Sequence, residues 1–234
     1  SMVVTPELLS FFPLLKALPM AARVKLAQQS SVQKYARRAV VLNAGVRENH
    51  VCLLFEGRLQ GVDFTVDGRE VGLYFIEPGD FCGELGVFDH GPQPEFVIVL
   101  SPAMVVCVPI DALREAMLAH PEIVTSLGER LARRVRQMTQ QRSLLGMPNI
   151  SQRVCYQLWL LVPEADKANM KDAVIKNPPT HMEIAIMLNL SRETVTRVFQ
   201  TLQTQEIVKR DGTTRLIVPD LPTLRALAEG TTEL

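Results

Sequence analysis

The chain has 234 residues, of which 47% are hydrophobic, and its 25 Lys and Arg balance its 25 Asp and Glu. This length suits one large domain or two ordinary ones, and the zero net charge gives no indication of a strongly basic tail. No run of about 18 apolar residues predicts a membrane span. No secretion signal is recognised near the N-terminus, so a cytoplasmic protein without a membrane partner is expected.

The four cysteines, Cys52, Cys82, Cys107 and Cys155, stand apart in the sequence without a C-x-x-C pair. Structural zinc or a disulfide framework is therefore not expected, and buried reduced thiols are the favoured interpretation. A redox or metal-sensing role for Cys82 stays open. We assign no metal ligands and no catalytic residues.

The first half of the sequence predicts short helices followed by many short strands. Residues 6–29 are apolar at helical spacing and are interrupted by Pro13 and Pro19, which indicates two or three helices. Turn signals at residues 43–45, 56–57 and 67–68 then separate β-prone runs. The predicted strands are residues 32–35, 39–42, 51–55, 59–64, 71–75, 95–100 and 104–109. Strands of this length and spacing are typical of a sandwich or barrel of the jelly-roll kind.

A glycine-rich stretch inside the strand region is the first candidate binding site. Residues 79–86 read GDFCGELG. The glycines allow positive φ and close approach of the backbone to a ligand, and Glu84 between them is suited to accept from a ligand hydroxyl. The alternative interpretation of residues 79–86 is a turn between strands in which Glu84 is solvated.

One long helix is predicted from Pro121 to Gly146 and Pro148, with Pro121 and Glu122 at favourable positions in its first turn. At about 1.5 Å per residue it spans roughly 40 Å, which is more than one small domain covers. Parallel coiled-coil pairing in a homodimer is therefore expected, and packing against the β-domain alone is the alternative. The predicted dimer residues are Ile123, Leu127, Leu131, Val135 and Met138.

Residues 180–207 predict two helices joined by a turn at Asn189 and Leu190. Thr180 and Glu183 have the spacing of a capping box for the first helix, and Ser191 is a suitable N-cap for the second. Before this motif, residues 151–162 predict a helix and residues 163–179 are polar and loop-like. Residues 221–229 predict a short closing helix.

The exposed polar residues of the second helix carry the chemistry of DNA reading. Arg forks onto guanine and Glu accepts from cytosine, whereas Ser and Thr hydroxyls suit phosphate oxygens. A basic hairpin at residues 206–218 follows and predicts a wing. The residues predicted to contact DNA are Thr180, His181, Ser191, Arg192, Glu193, Thr194, Thr196, Arg197, Lys209, Arg210 and Arg215. An amphipathic surface helix with a solvated charged face is the alternative.

The order of these parts resembles the Crp/Fnr family of bacterial transcription regulators. The resemblance covers nearly the whole chain and rests on GDFCGELG at 79–86, ARR at 132–134 and SRETVTR at 191–197, of which the last is the most specific. It implies an α+β protein with a cyclic-nucleotide-binding-like β-roll (jelly roll) at residues 1–120, a dimerisation helix at 121–148 and a winged helix-turn-helix domain at 149–234.

The same resemblance implies how the protein acts. A homodimer would bind double-stranded DNA at an inverted repeat of TGTGA-like half-sites. In each subunit Arg192, Glu193 and Arg197 would read bases. RNA polymerase is the implied protein partner, and a small-molecule effector in the β-roll is the implied signal.

The effector residues depart from the family pattern. Cyclic-nucleotide-binding members carry an Arg-Ser pair after the G-E-L-G turn, and Pro94 and Glu95 occupy the aligned positions. Pro has no side-chain donor, and a carboxylate about 4 Å from a phosphate costs on the order of 4 kcal/mol at an effective dielectric of about 20. We expect weak or absent binding of cAMP and cGMP. The predicted effector pocket is Gly83, Glu84, Leu85, Pro94, Glu95, Met138 and Thr139.

Several alternatives stay open. One alternative is a different small-molecule effector, either apolar or cationic. Another is a dimer that binds DNA without any effector. No cysteine precedes Cys52, so the iron–sulfur branch of the family is not expected. Haem held by His50, His90 or Cys82 is an alternative cofactor. A ligand-binding module alone and a cupin-like metalloenzyme are the alternative functions, but the second needs converging His ligands and no H-x-H occurs, so no enzyme is expected.

Overall fold

A computed structural model of the chain describes residues 2–234, which form two compact units. The first contains the residues up to Gly68 together with Leu73–Gln137, and the second contains Arg69–Gly72 together with Met138–Leu234. The division falls inside the long helix. The domain limits after residues 120 and 148 stay a prediction. None of the helices in the described part of the chain is long and apolar enough to cross a membrane.

The first half begins with short helices followed by strands, as the sequence predicts in outline. The helices are α1 (Pro6–Ser10), α2 (Pro13–Lys16), α3 (Met20–Gln29), α4 (Gly86–Asp89), α5 (Ile110–Ala119) and α6 (Pro121–Leu145). The strands are β1 (Ser31–Tyr35), β2 (Val40–Leu42), β3 (His50–Phe64), β4 (Glu70–Ile76), β5 (Phe81–Cys82) and β6 (Phe96–Pro109). The sequence-based prediction does not include α4, α5 or β5.

Two long strands, β3 and β6, form the centre of the sheet. The strand order is β1-β6-β3-β4, β2 also pairs with β6, and β5 also pairs with β3. The predicted strands 51–55 and 59–64 are both parts of β3, so the predicted turn at residues 56–57 is wrong. Gly57 instead adopts φ 93° inside β3, where the register with β6 shifts and an added Cβ would lie 2.5 Å from the Pro102 carbonyl oxygen. A glycine here permits a bulge rather than a turn.

The alternation of side chains along β3 supplies two separate cores. Val51 and Leu53 belong to a cluster that includes residues of α1, α2, α3, α5 and the start of α6. Cys52 and Leu54 belong to a second cluster, which includes Tyr74 and residues of β2, β5 and β6. We call the volume of the second cluster the roll interior. All four cysteines are buried free thiols, as the favoured interpretation predicts.

The predicted apolar stripe of α6 divides between two environments. Ile123 and Leu127 are 1% and 0% exposed and lie in the core that α6 shares with α1–α3 and α5. Their assignment to a dimer surface is therefore corrected, because the β-domain already covers them. Leu131 is half-buried, whereas Val135 is 64% exposed and Met138 is 39% exposed.

The second unit contains the predicted helix-turn-helix and hairpin. Its helices are α7 (Ile150–Leu161), α8 (Glu164–Asn169), α9 (His181–Leu188), α10 (Arg192–Thr204) and α11 (Leu221–Glu229). Its strands are β7 (Ala173–Lys176), β8 (Lys209–Asp211) and β9 (Arg215–Val218), in the antiparallel order β7-β9-β8. The interpretation of residues 163–179 as a loop is wrong, since they form α8 and β7. The four residues of β7 are too few to show a strand period, and pairing with β9 stabilises them.

Candidate nucleic-acid interface and effector site

The helix-turn-helix is fixed by short-range hydrogen bonds. Thr180 Oγ1 accepts from the Glu183 amide at 3.1 Å, and Glu183 Oε1 accepts from the Thr180 amide at 2.9 Å, which completes the predicted capping box. Asn189 ends α9 with φ 54°, a left-handed conformation that Asn tolerates better than most residues. Ser191 Oγ accepts from the Thr194 amide at 3.1 Å and begins α10. The predicted caps and turn are confirmed.

α10 presents one face to the core of its unit and another to solvent. The buried residues are Val195, Val198, Phe199 and Leu202. Arg192, Glu193 and Arg197 are exposed near the N-terminal end of α10. Arg197 Nη2 donates to Thr194 Oγ1 at 3.3 Å, so the guanidinium lies beside the first turn of the helix. The three side chains suited to base edges are therefore all available to a partner.

The hairpin of β8 and β9 is the predicted wing, and its basic residues are exposed. Lys209 and Arg210 lie on β8, and Arg215 lies on β9. Arg215 Nη1 donates to Asp211 Oδ2 at 3.0 Å. Among the described residues, Arg210 makes no salt bridge. The wing therefore carries one arginine whose charge is paired and one whose charge is not.

His181 connects α10, the predicted recognition helix, to the wing. Its Nδ1 lies 2.9 Å from Thr196 Oγ1, and its Nε2 lies 3.0 Å from Arg210 Nη2. Its ring centroid is 4.5 Å from that of Phe199. Burial lowers the pKa of His181, and the charges of Arg210 and Arg192 lower it further, so the neutral imidazole is favoured. No local pattern in the sequence indicates this bridge, because its members come from α9, α10 and β8.

The predicted effector residues are divided between the interior and the surface. Gly83, Glu84 and Glu95 are buried in the first unit. The exposed ones are Leu85, Pro94, Met138 and Thr139. Glu84 is only 4% exposed, so the interpretation of it as a solvated turn residue is wrong. Burial raises the pKa of Glu84 to about 7, against the opposing effects of a backbone hydrogen bond and the charge of Arg130.

Glu95 is engaged by another side chain of the β-roll. The Tyr74 hydroxyl donates to Glu95 Oε1, and Tyr74 is only 4% exposed. The Tyr74 ring lies against Gly61, where an added Cβ would be 2.4 Å from a ring atom. Burial raises the pKa of Glu95, and the hydrogen bond from Tyr74 opposes that rise. The carboxylate aligned with the family's phosphate-binding pair is thus bound within the chain itself.

Two arginines of α6 join this group through Asp80. Arg130 Nε and Nη2 donate to the two oxygens of Asp80, the second at 2.6 Å. Arg134 lies over the Tyr74 ring with its Cζ 3.5 Å from the centroid, and its Nη2 is 3.9 Å from Asp80 Oδ2. No acceptor in the described part of the chain hydrogen-bonds Arg134 Nε or Nη2. We call these residues, with Glu84 and Glu95, the interior cluster.

A cavity of about 400 Å³ lies beside Asp80 rather than around Glu84 and Glu95. Its lining includes Pro13, Gly79 and Arg133, and it contains none of the predicted effector residues. Sequence reasoning missed Tyr74, because an aromatic residue in a strand carries no signal of its own. Arg134 belongs to the ARR stretch at 132–134 and to the basic residues of the long helix, but neither pattern indicates its contact with Tyr74.

These features define a class of protein: a DNA-binding regulator in which a β-roll domain is combined with a winged helix-turn-helix. Residues 32–120 match the cyclic nucleotide-binding domain, and residues 152–227 match the Crp-like helix-turn-helix domain. The chain belongs to the Crp/Fnr family of transcription regulators, which are not enzymes.

Similar proteins support this membership. The cAMP-activated global transcriptional regulator CRP of Pasteurella multocida is 26% identical over 80% of this chain and 89% of its own length. The CRP-like cAMP-activated global transcriptional regulator of Mycobacterium tuberculosis is 26% identical over 90% of this chain and 94% of its own. The structure of FixK2 from Bradyrhizobium japonicum aligns with a TM-score of 0.72 at 20% identity, over 85% of this chain and 96% of that one.

Proposed function

We propose that this regulator is a homodimer that binds an inverted repeat of TGTGA-like half-sites, and that it does so without a cyclic nucleotide. The DNA-binding part of the proposal is supported by one observation: Arg192, Glu193 and Arg197 are exposed on α10, in a unit that also contains a basic wing. Two arginines and one glutamate match guanine and cytosine edges in the major groove. RNA polymerase stays a predicted partner.

The dimer is supported by an exposed apolar seam on α6. Val124, Gly128, Leu131, Val135 and Met138 recur at alternating spacings of four and three residues, which is the a/d pattern of a coiled coil. Val124, Val135 and Met138 are 42%, 64% and 39% exposed. No described atom lies within 4 Å of a Cβ added at Gly128. The seam replaces Ile123 and Leu127 of the sequence-based prediction with Val124 and Gly128.

Independence from a cyclic nucleotide is supported by the interior cluster. The two named relatives are cAMP-activated regulators. Here Glu95 is bound by Tyr74, and Arg134 lies on the Tyr74 ring. An anionic phosphate would have to displace these contacts and approach the Glu95 carboxylate, which is unfavourable in a poorly solvated site.

The experiment is a fluorescence-anisotropy titration of an inverted TGTGA-type repeat at fixed salt, with and without cAMP, together with calorimetry of cAMP alone. We expect tight DNA binding that cAMP does not change, and no heat of cAMP binding. A micromolar affinity for cAMP would overturn the effector part of the proposal. Absence of DNA binding without cAMP would overturn the proposal of ligand-free activity.

Arg197→Ala tests base reading. Loss of a bidentate contact to guanine should cost about 1–3 kcal/mol and relax specificity at one base pair. The matched control is Lys209→Ala on the wing, which should weaken binding to all sequences and reduce the salt slope by about 1. Uniform weakening by Arg197→Ala would assign that residue to a phosphate instead.

Val135→Glu tests the seam. A carboxylate at an a/d position faces its copy across the dimer, so the variant should sediment as a monomer at concentrations where the parent is a dimer. Gln140→Glu adds the same charge at an exposed α6 position outside the seam and should leave the dimer intact. Equal behaviour of the two variants would contradict the seam.

A further inference from the structure

We propose that neutral His181 is a positioning residue, which accepts a hydrogen bond from Arg210 and thereby holds this wing arginine beside the recognition helix, ready to contact a DNA phosphate. The inference rests on the proposed DNA binding and adds a mechanism to it. His181 is the first residue of α9, directly after the capping residue Thr180. From there its ring reaches both α10 and β8.

The hydrogen bonds determine the tautomer of His181. A guanidinium nitrogen only donates, so Arg210 Nη2, at 3.0 Å, requires a lone pair on His181 Nε2. The proton of the neutral ring then belongs to Nδ1, which donates to Thr196 Oγ1 at 2.9 Å. One imidazole therefore binds the recognition helix as a donor and the wing as an acceptor.

The ring is held in this orientation by packing. Phe199, a residue of α10 that is 3% exposed, lies with its centroid 4.5 Å from that of His181 and its plane tilted by 34°. Rotation of the imidazole about its χ angles would lose this contact and the bond to Thr196. The lone pair of Nε2 is thus directed at the wing before any DNA arrives.

Arg210 differs from Arg215 in how its charge is compensated. Arg215 is paired with the Asp211 carboxylate at 3.0 Å, whereas the described residues offer Arg210 the neutral imidazole. A neutral acceptor fixes the side chain without cancelling its positive charge. Arg210 therefore keeps its full attraction for a phosphate while losing part of the side-chain freedom that binding would otherwise remove.

Protonation of His181 removes this arrangement. A proton on Nε2 turns the acceptor into a donor and places two cations in contact. The charged groups facing the ring are Arg192 on α10 and Arg210 on β8, and both disfavour the imidazolium. On its own helix, the Glu183 carboxylate accepts from the Thr180 amide in the capping box. Neutral His181, which burial and the two arginines favour, is therefore the form that positions Arg210.

The test is a double-mutant cycle on DNA affinity, measured on the inverted repeat at several salt concentrations. His181→Ala releases the ordered Arg210 side chain and should weaken DNA binding about two- to tenfold. Arg210→Ala should weaken binding by at least as much and reduce the salt slope by about 1. The double variant should bind like Arg210→Ala alone, because His181 acts through Arg210.

Two matched variants separate positioning from a merely structural role. His181→Gln supplies a pH-independent acceptor near the position of Nε2 and should restore affinity to within about twofold of the parent. The effect of His181→Ala should persist in full in an Arg215→Ala background, because Arg215 has its own partner. Additive losses with Arg210→Ala, or a Gln variant as weak as the Ala variant, would overturn the proposal.

A measurement without DNA distinguishes failure of this inference from failure of the proposed function. The ¹⁵N chemical shifts of the imidazole should identify the Nδ1–H tautomer in the free protein, and Arg210→Ala should shift the Nε2 resonance. The Nε2–H tautomer would overturn the positioning contact even if DNA binds. If the tautomer is as expected but no DNA binds, the proposed function fails and the role of Arg210 at a phosphate fails with it.

Discussion

Polar side chains in the winged helix and in the β-roll are held in opposite ways. On α10, Ser191 and Thr194 bond to residues three positions away, and the side chains suited to bases are exposed. In the roll, the bonded pairs Tyr74–Glu95 and Asp80–Arg130 are 21 and 50 positions apart and largely buried. Exposed polar groups remain available to a partner, whereas the buried pairs are bonded within the chain, with Arg134 Nε and Nη2 as the exceptions in the interior cluster. This contrast favours the winged helix as the part that contacts DNA, whereas many polar groups of the roll interior are occupied by contacts within the chain.

Asp80→Ala is expected to cause the largest loss of stability among the variants of the interior cluster. It leaves Arg130 and Arg134, whose side chains are 6% and 9% exposed, without their counter-charge. Removing one partner of a buried ion pair costs about 3–5 kcal/mol. Urea denaturation of the parent and the variant at neutral pH should show this loss. A change under about 1 kcal/mol would mean that this pair is no stronger than an exposed one.

The same contrast explains which features the sequence could predict. The caps at Thr180 and Ser191 and the apolar stripe of α10 are encoded within one or two helical turns, so local spacing identifies them. The exposed residues of α10 that we propose to read bases follow by subtraction, because residues outside the apolar stripe face solvent. The resemblance to the Crp/Fnr family implies the same residues of α10 that the local spacing already identifies.

The interior cluster had no such local signal. Tyr74 is one aromatic residue among several in short strands, and its role depends on Glu95 and Arg134, which are supplied by distant segments. The bulge at Gly57 was interpreted as a turn for the same reason, since the partner strand that makes it a bulge lies more than forty residues away. Tertiary pairing, rather than local propensity, decided both outcomes.

Glu84→Gln tests the interior through pH. Burial raises the folded-state pKa of Glu84 from 4.5 to about 7, so the folded chain holds this proton more tightly than the unfolded chain. The resulting stabilisation is complete below about pH 4.5 and is lost as the pH rises through about 7, and it amounts to about 3 kcal/mol. Gln is neutral throughout, so the variant should gain stability relative to the parent between pH 5 and pH 8. Urea titrations at a series of pH values measure this difference, and parallel pH profiles would contradict the assignment.

The smallest expected effect is that of Asp211→Asn on the wing. Asp211 and Arg215 are about half exposed, so their ion pair contributes about 0–1 kcal/mol, and unfolding should change little. DNA affinity should nevertheless rise, because one negative charge is removed beside the phosphates and Arg215 is no longer neutralised. The near-zero stability effect differs from the loss expected of Asp80→Ala, because the Asp211–Arg215 pair is half exposed and the arginines beside Asp80 are buried. An anisotropy titration could instead show that Asp211→Asn weakens DNA binding. The Asp211 carboxylate would then orient Arg215 more than it neutralises the charge of Arg215. The wing would in that case resemble the roll, where an acidic residue holds the arginines.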